Sequence, residues 1–103
     1  MRTQLPLTSY AKGHLAGTRA AAAPLRLRAE EILSSGGDVV LNFRGVEATQ
    51  SFIDELIGYL ILSQGPSVLE RIVFRHCSEN LRAIIEYVAA DRCDQYLKRP
   101  THH

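Results

Sequence analysis

Asp38-Val39-Val40-Leu41-Asn42-Phe43, then Arg44-Gly45-Val46-Glu47-Ala48-Thr49-Gln50, then Ser51-Phe52-Ile53-Asp54-Glu55-Leu56-Ile57-Gly58: this stretch decides the fold. Val39 to Phe43 is a compact, β-branched apolar run, which reads as a strand buried on both faces. Gly45 opens a turn. From about Ser51 to Gln64 the pattern changes to helical spacing, with Phe52, Ile53, Leu56, Leu60 and Ile61 on the inward side. Gly65-Pro66 stops that helix, glycine by its free φ and proline by its missing amide.

Working outward, the same alternation continues on both sides. Upstream, Leu5 to Ser9 reads as a short edge strand, since Pro6 has no N–H for a central ladder. Tyr10 to Gly17 reads as a loop. Thr18 caps a helix that runs through four alanines to about Leu33, with Leu25, Ala29, Ile32 and Leu33 buried. Pro24 either starts this helix or kinks it. Downstream, Ile72-Val73-Phe74 reads as another central strand. Ser78 caps a last helix with Leu81, Ile84, Ile85 and Val88 as its apolar stripe. Strand and helix alternate three times. The expected fold is therefore α/β, a parallel or mixed β-sheet packed against α-helices in one domain over residues 1–103. Its core spans about 15–97, and 98–103 form a flexible tail.

Composition narrows the function. The chain has 103 residues, enough for one core and too few to enclose a deep pocket as well. Twelve basic and eleven acidic residues leave a net charge of +1, without the basic excess that phosphate neutralisation demands of a nucleic-acid binder. No apolar run approaches a bilayer's thickness, and no signal peptide opens the chain. Cys77 and Cys93 form no C-x-x-C pair, so a cytoplasmic, reducing compartment is expected.

Motifs for catalysis are absent. There is no G-x-G-x-x-G, no Walker loop and no nucleophile elbow. His76 and Cys77 are adjacent on an extended run and point opposite ways, so they do not chelate one metal. Asp54 and Glu55 diverge by about 100° on a helix and do not share a site; the helix dipole accounts for them near an N-terminus. The expectation is a protein that binds another protein, with no catalytic residues, no metal and no cofactor.

The opening stretch also carries a resemblance. Asn42-Phe43-Arg44-Gly45-Val46 followed by Ser51-Phe52-Ile53-Asp54-Glu55-Leu56 resembles the strand, G-V turn and S-F-x-D-E-L helix start of the STAS-like domain family, a bacterial group of unknown function. Gly17-Thr18-Arg19 is similar to that family's helix-opening S/T-R. Asn42 stands where the family usually has aspartate. The wider STAS superfamily includes anti-sigma factor antagonists, in which a hydroxyl at a helix N-terminus is phosphorylated by a partner kinase and the complex breaks. Aligned from the strand, that hydroxyl falls at Ser51, with Gln50 in place of the preceding aspartate and Phe52-Ile53 in place of a small residue and glycine. The resemblance implies a regulatory interaction module with Ser51 as the modified residue. It implies a contact surface of Gly45, Val46, Glu47, Thr49, Gln50, Ser51, Asp54 and Glu55. The implied partner is an anti-sigma factor or a histidine-kinase-type ATPase. Three alternatives stand beside it: Ser51 or Thr49 as a plain N-cap, a constitutive module or homodimer using Tyr59 and Leu62, and a nucleotide-binding protein.

Overall fold

The computed structural model describes residues 1–99. The elements run β1 (Arg2–Pro6), a 3-10 turn (Leu7–Tyr10), β2 (Leu15–Ala16), α1 (Arg19–Ser34), β3 (Asp38–Asn42), β4 (Glu47–Ala48), α2 (Gln50–Ile53), a π turn (Asp54–Gly58), α3 (Tyr59–Gln64), a second 3-10 turn (Pro66–Arg71), β5 (Ile72–Arg75) and α4 (Glu79–Lys98). The strand pairings of both sheets are parallel, and an isolated antiparallel bridge joins Lys12 and Leu15. β1, β3 and β5 form one sheet in that order, and β2 pairs with β4 in a two-residue annex.

This strand order explains where the helices lie. The chain steps across the sheet in one direction, and right-handed crossovers place successive helices on the same face. The side chains follow: Val39, Leu41 and Phe43 point into the common core with Leu5 and Ile72, while Val40 points to the opposite face between Gln4 and Val73. The expectation that β3 is buried on both sides holds for its side chains, since Val39, Val40 and Leu41 are all buried. β5 differs from its expected central place and forms an edge. The N-terminal strand is an edge as expected, but it begins at Arg2 and gives way to a 3-10 turn at Leu7.

α1 is capped by Thr18, whose Oγ1 accepts from the Ala21 amide at 3.0 Å. Pro24 neither starts nor breaks this helix; it lies inside it. A proline there removes the bond to the Ala20 carbonyl, and Ala20 is exposed, so water can take that bond. Pro24→Ala is expected to raise stability by about 1–2 kcal/mol, because the helix penalty of about 3 kcal/mol is offset in part by proline's stiffer unfolded chain. Denaturant titration of both proteins measures it.

The middle helix, from Gln50 to Gln64, is continuous, with helical φ/ψ through both junctions. Its buried pairs are Phe52/Ile53, Leu56/Ile57 and Leu60/Ile61. They recur every four residues. In a regular α-helix each such step drifts by about 40°. The π turn at Asp54–Gly58, closed by the Tyr59 amide on the Asp54 carbonyl, takes up an extra residue and keeps all six on the core side. Ile57, absent from the expected inward set although it lies four residues after Ile53 and three before Leu60, is fully buried as well. Six such side chains at about 2 kcal/mol each outweigh any cap, so packing holds this helix. Gly65 ends it at φ 90°, ψ 164°, a conformation open only to glycine.

α4 starts at its expected cap, Ser78, and continues through Lys98, where a flexible tail was expected to begin. Residues 100–103 of that tail lie outside the described residues. Among the described residues, no helix is long and apolar enough to cross a membrane. Cys77 and Cys93 are free thiols.

Candidate functional site at the helix N-termini

Three helix N-termini meet where β2, β4 and β5 deliver the chain. The annex holds two of them together. The Glu47 amide donates to the His14 carbonyl at 2.8 Å and the Thr49 amide to the Ala16 carbonyl at 3.0 Å. Thr49 then works in both directions: its Oγ1 accepts from the Phe52 amide at 3.1 Å and donates to the Gly17 carbonyl at 2.8 Å. Ser78 does the same for α4, accepting from the Leu81 amide at 3.0 Å and donating to Glu47 Oε1 at 2.9 Å. Thr49 is thus tied to Gly17, the residue before the Thr18 cap, and Ser78 to Glu47, two residues before Thr49.

Thr49 is the N-cap of the middle helix, and Ser51 sits two residues inside it, exposed. Thr49→Ala is accordingly expected to cost at least about 1 kcal/mol. Ser51→Ala is expected to change stability by less than about 0.5 kcal/mol. Thermal unfolding of the two variants checks the contrast.

The turn between β3 and β4 is also held by side chains. Asn42 Oδ1 accepts from the Arg44 amide at 3.0 Å. An amide oxygen meets that need as well as a carboxylate does, so asparagine preserves the turn without the charge. His14 Nδ1 lies 3.1 Å from the Gly45 carbonyl, which can only accept, so Nδ1 carries the proton. Arg44 Nη2 donates to His76 Nε2 at 3.3 Å. His76 adopts φ 61°, the left-handed region, which histidine tolerates better than bulkier residues. A shallow concavity of about 540 Å³ lies here, with His14, Gly45, Glu47, His76, Cys77 and Ser78 on its walls. Burial pushes the Cys77 thiol up, and the Glu47 carboxylate adds to this against the opposing charge of Arg82.

Asp54 and Glu55 are engaged elsewhere. Asp54 receives a two-pronged contact from Arg92 of α4, Nε to Oδ1 and Nη2 to Oδ2, both at 2.6 Å. Arg19 of α1 reaches the same Oδ2 at 2.8 Å. Glu55 sits 3.4 Å from Arg26 Nε and 3.9 Å from Arg19. Arg26 also binds Glu30 at 2.7 Å and lies 4.0 Å over the Tyr59 ring. The Nε of Arg26 makes a charge contact with Glu55 whose geometry falls short of a hydrogen bond. Burial works to raise the Asp54 carboxyl, but the guanidinium donors of Arg92 and Arg19 outweigh it and hold it below the ordinary 3.8.

The residues singled out from sequence therefore divide. Gly45, Glu47, Gln50 and Ser51 are exposed at the rim. Val46 is buried, and the Thr49 hydroxyl is committed to the cap and to Gly17. Asp54 and Glu55 tie the middle helix to α4 and α1, which corrects the view that the helix dipole alone explains them. Arg92 escaped sequence reading because its partner lies 38 residues away. Arg44 escaped it, and His76 entered it only as a rejected metal ligand, because a single arginine or histidine carries no spacing signal.

No curated protein and no solved structure matches this chain. A family model, the STAS-like domain of unknown function (DUF4325), matches residues 21–82. The match takes in β3, its turn, the whole middle helix, β5 and the start of α4, and by this match over more than half its length the chain belongs to the family of STAS-like domains of unknown function.

Proposed function

We propose that this domain is a regulatory protein-interaction module, and no enzyme, that contacts its partner through the rim of Gly45, Glu47, Gln50 and Ser51. The observation that carries this reading is the division of labour at the middle helix: Thr49 caps it, leaving the Ser51 hydroxyl exposed and free of that duty. Phosphorylation of Ser51 would place nearly two negative charges in the first helical turn, where the dipole favours them. The helix and its cap would survive while the partner met new charge and bulk. The implied modifying partner is a kinase-like ATPase of the histidine-kinase type. Binding is favoured over catalysis because His14, Glu47 and Ser78 are engaged in structural bonds and because a raised Cys77 pKa keeps that thiol protonated and a poor nucleophile.

Incubation with candidate ATPases and ATP, followed by intact-mass and peptide mapping, tests the modification. One phosphate on Ser51 is expected, and phosphate only on other residues would end the reading. Ser51→Ala should retain partner binding and Ser51→Asp should lose at least about tenfold in affinity, measured by calorimetry. A constitutive surface is the second reading. It is favoured by Phe52 and Ile53, both fully buried where a switch would call for small residues. Equal binding by both Ser51 variants would select it.

A further inference from the structure

The sheet has two edges, and they are built differently. β1 carries Arg2, Gln4 and Pro6, the polar and proline residues that blunt an edge. β5 is Ile72-Val73-Phe74-Arg75, apolar through three residues and without proline, glycine or lysine. The Phe43 amide donates to the Arg75 carbonyl at 2.9 Å, so Arg75 and Val73 turn their peptide groups toward β3. Alternation then leaves the N–H and C=O of Phe74 on the open side. Alongside runs a groove of about 390 Å³ between β5 and α4, lined by Leu69, Phe74, Ile85 and Ala89. Arg82 and Glu86 stand on its rim, one helical turn apart and both exposed. Neither is ion-paired among the described residues.

We infer that this edge pairs with β5 of a second copy of the chain, antiparallel about a two-fold axis at Phe74. In that register Phe74 faces itself, and a hydrogen-bonded antiparallel pair exchanges both N–H···O bonds, which satisfies both open groups. An axis normal to the sheet keeps the helices of both copies on one side and sets the two α4 helices antiparallel. Arg82 then meets Glu86 of the partner subunit, and Glu86 meets the partner subunit's Arg82. A surface on which one patch is its own complement is the mark of a two-fold contact. An unrelated peptide strand would have to supply an acid and a base at matching positions, whereas a second copy carries both. The two sheets become one of six strands, and the surface does not depend on Ser51 or its modification.

Sedimentation velocity of the full chain, from low micromolar to several hundred micromolar, is the test. A monomer–dimer equilibrium is expected, together with slower amide exchange at Phe74 as protein concentration rises. Arg82→Glu and Glu86→Arg should each raise the dissociation constant by about tenfold, since each creates two like-charge contacts. The double reversal should return it to within about threefold of the unsubstituted chain. Both positions are exposed, and circular dichroism confirms that the variants fold. A chain that stays monomeric throughout, a dimer indifferent to both reversals, or an edge that pairs only with an unrelated peptide would overturn the inference.

Discussion

Asp54→Ala is expected to lower the unfolding free energy by about 3 kcal/mol. The carboxylate is the meeting point of three helices: α4 through Arg92, α1 through Arg19, and the middle helix that carries it. Its side chain is 11% exposed and that of Arg92 24%, so removal leaves a half-buried guanidinium without its anion. Arg19 is half exposed and is rehydrated when freed, which is why the expected loss lies at the low end for a broken buried pair. The pH dependence distinguishes this from a packing defect. Because the folded-state pKa of Asp54 is depressed, its contribution is present above the ordinary 3.8 and is lost as pH falls below it. The stability gap between the unsubstituted chain and Asp54→Asn should therefore be widest near neutrality and close as the pH drops through that value and lower. Urea titrations at a series of pH values measure it, and a gap independent of pH would show that Asp54 is not held as an ion.

Gly58→Ala is expected to cost about 2–3 kcal/mol, although alanine is ordinarily the better helix former by about 1 kcal/mol. Gly58 is buried in the π turn, and a Cβ there would lie 2.6 Å from Asp54 Oδ1 and 3.1 Å from Arg92 Cγ. The clash falls on a carboxylate that two arginines hold in place, so relief requires that the Asp54–Arg92 contact open. The two substitutions should consequently fall short of additivity. With Asp54 already replaced by Ala, Gly58→Ala should cost at least about 1 kcal/mol less than it does alone. A double-mutant cycle by chemical denaturation reads this directly, and full additivity would place the cost of Gly58→Ala in the backbone instead of the ion pair.

These two cases bear on what a motif means. In S-F-x-D-E-L the Phe52 ring is a core anchor and the two acids are cross-braces, while Arg19 in the helix-opening motif is one of their partners. Two motifs more than thirty residues apart in the chain are halves of one contact. The part of the segment left to meet a partner is the first turn of the helix and the loop before it.

The order of the three main strands and the helices, the caps at Thr18 and Ser78, the buried run of β3 and the stop at Gly65 were all legible in the chain, because each rests on interactions within a few residues: hydroxyl to amide, side-chain period, glycine's φ. Family membership was legible for the same reason, as a short motif in fixed spacing. Only the tertiary structure decided that β5 is an edge, that β2 and β4 pair where a loop and a turn were expected, and that Asp54 is held by Arg92. Each of these depends on which distant segment arrives beside another, and a local pattern of hydropathy holds no record of that. Burial made the difference at the candidate site too, since Thr49 and Ser51 are equivalent as hydroxyls two residues apart and only the approach of Gly17 assigns one to the cap and leaves the other to solvent.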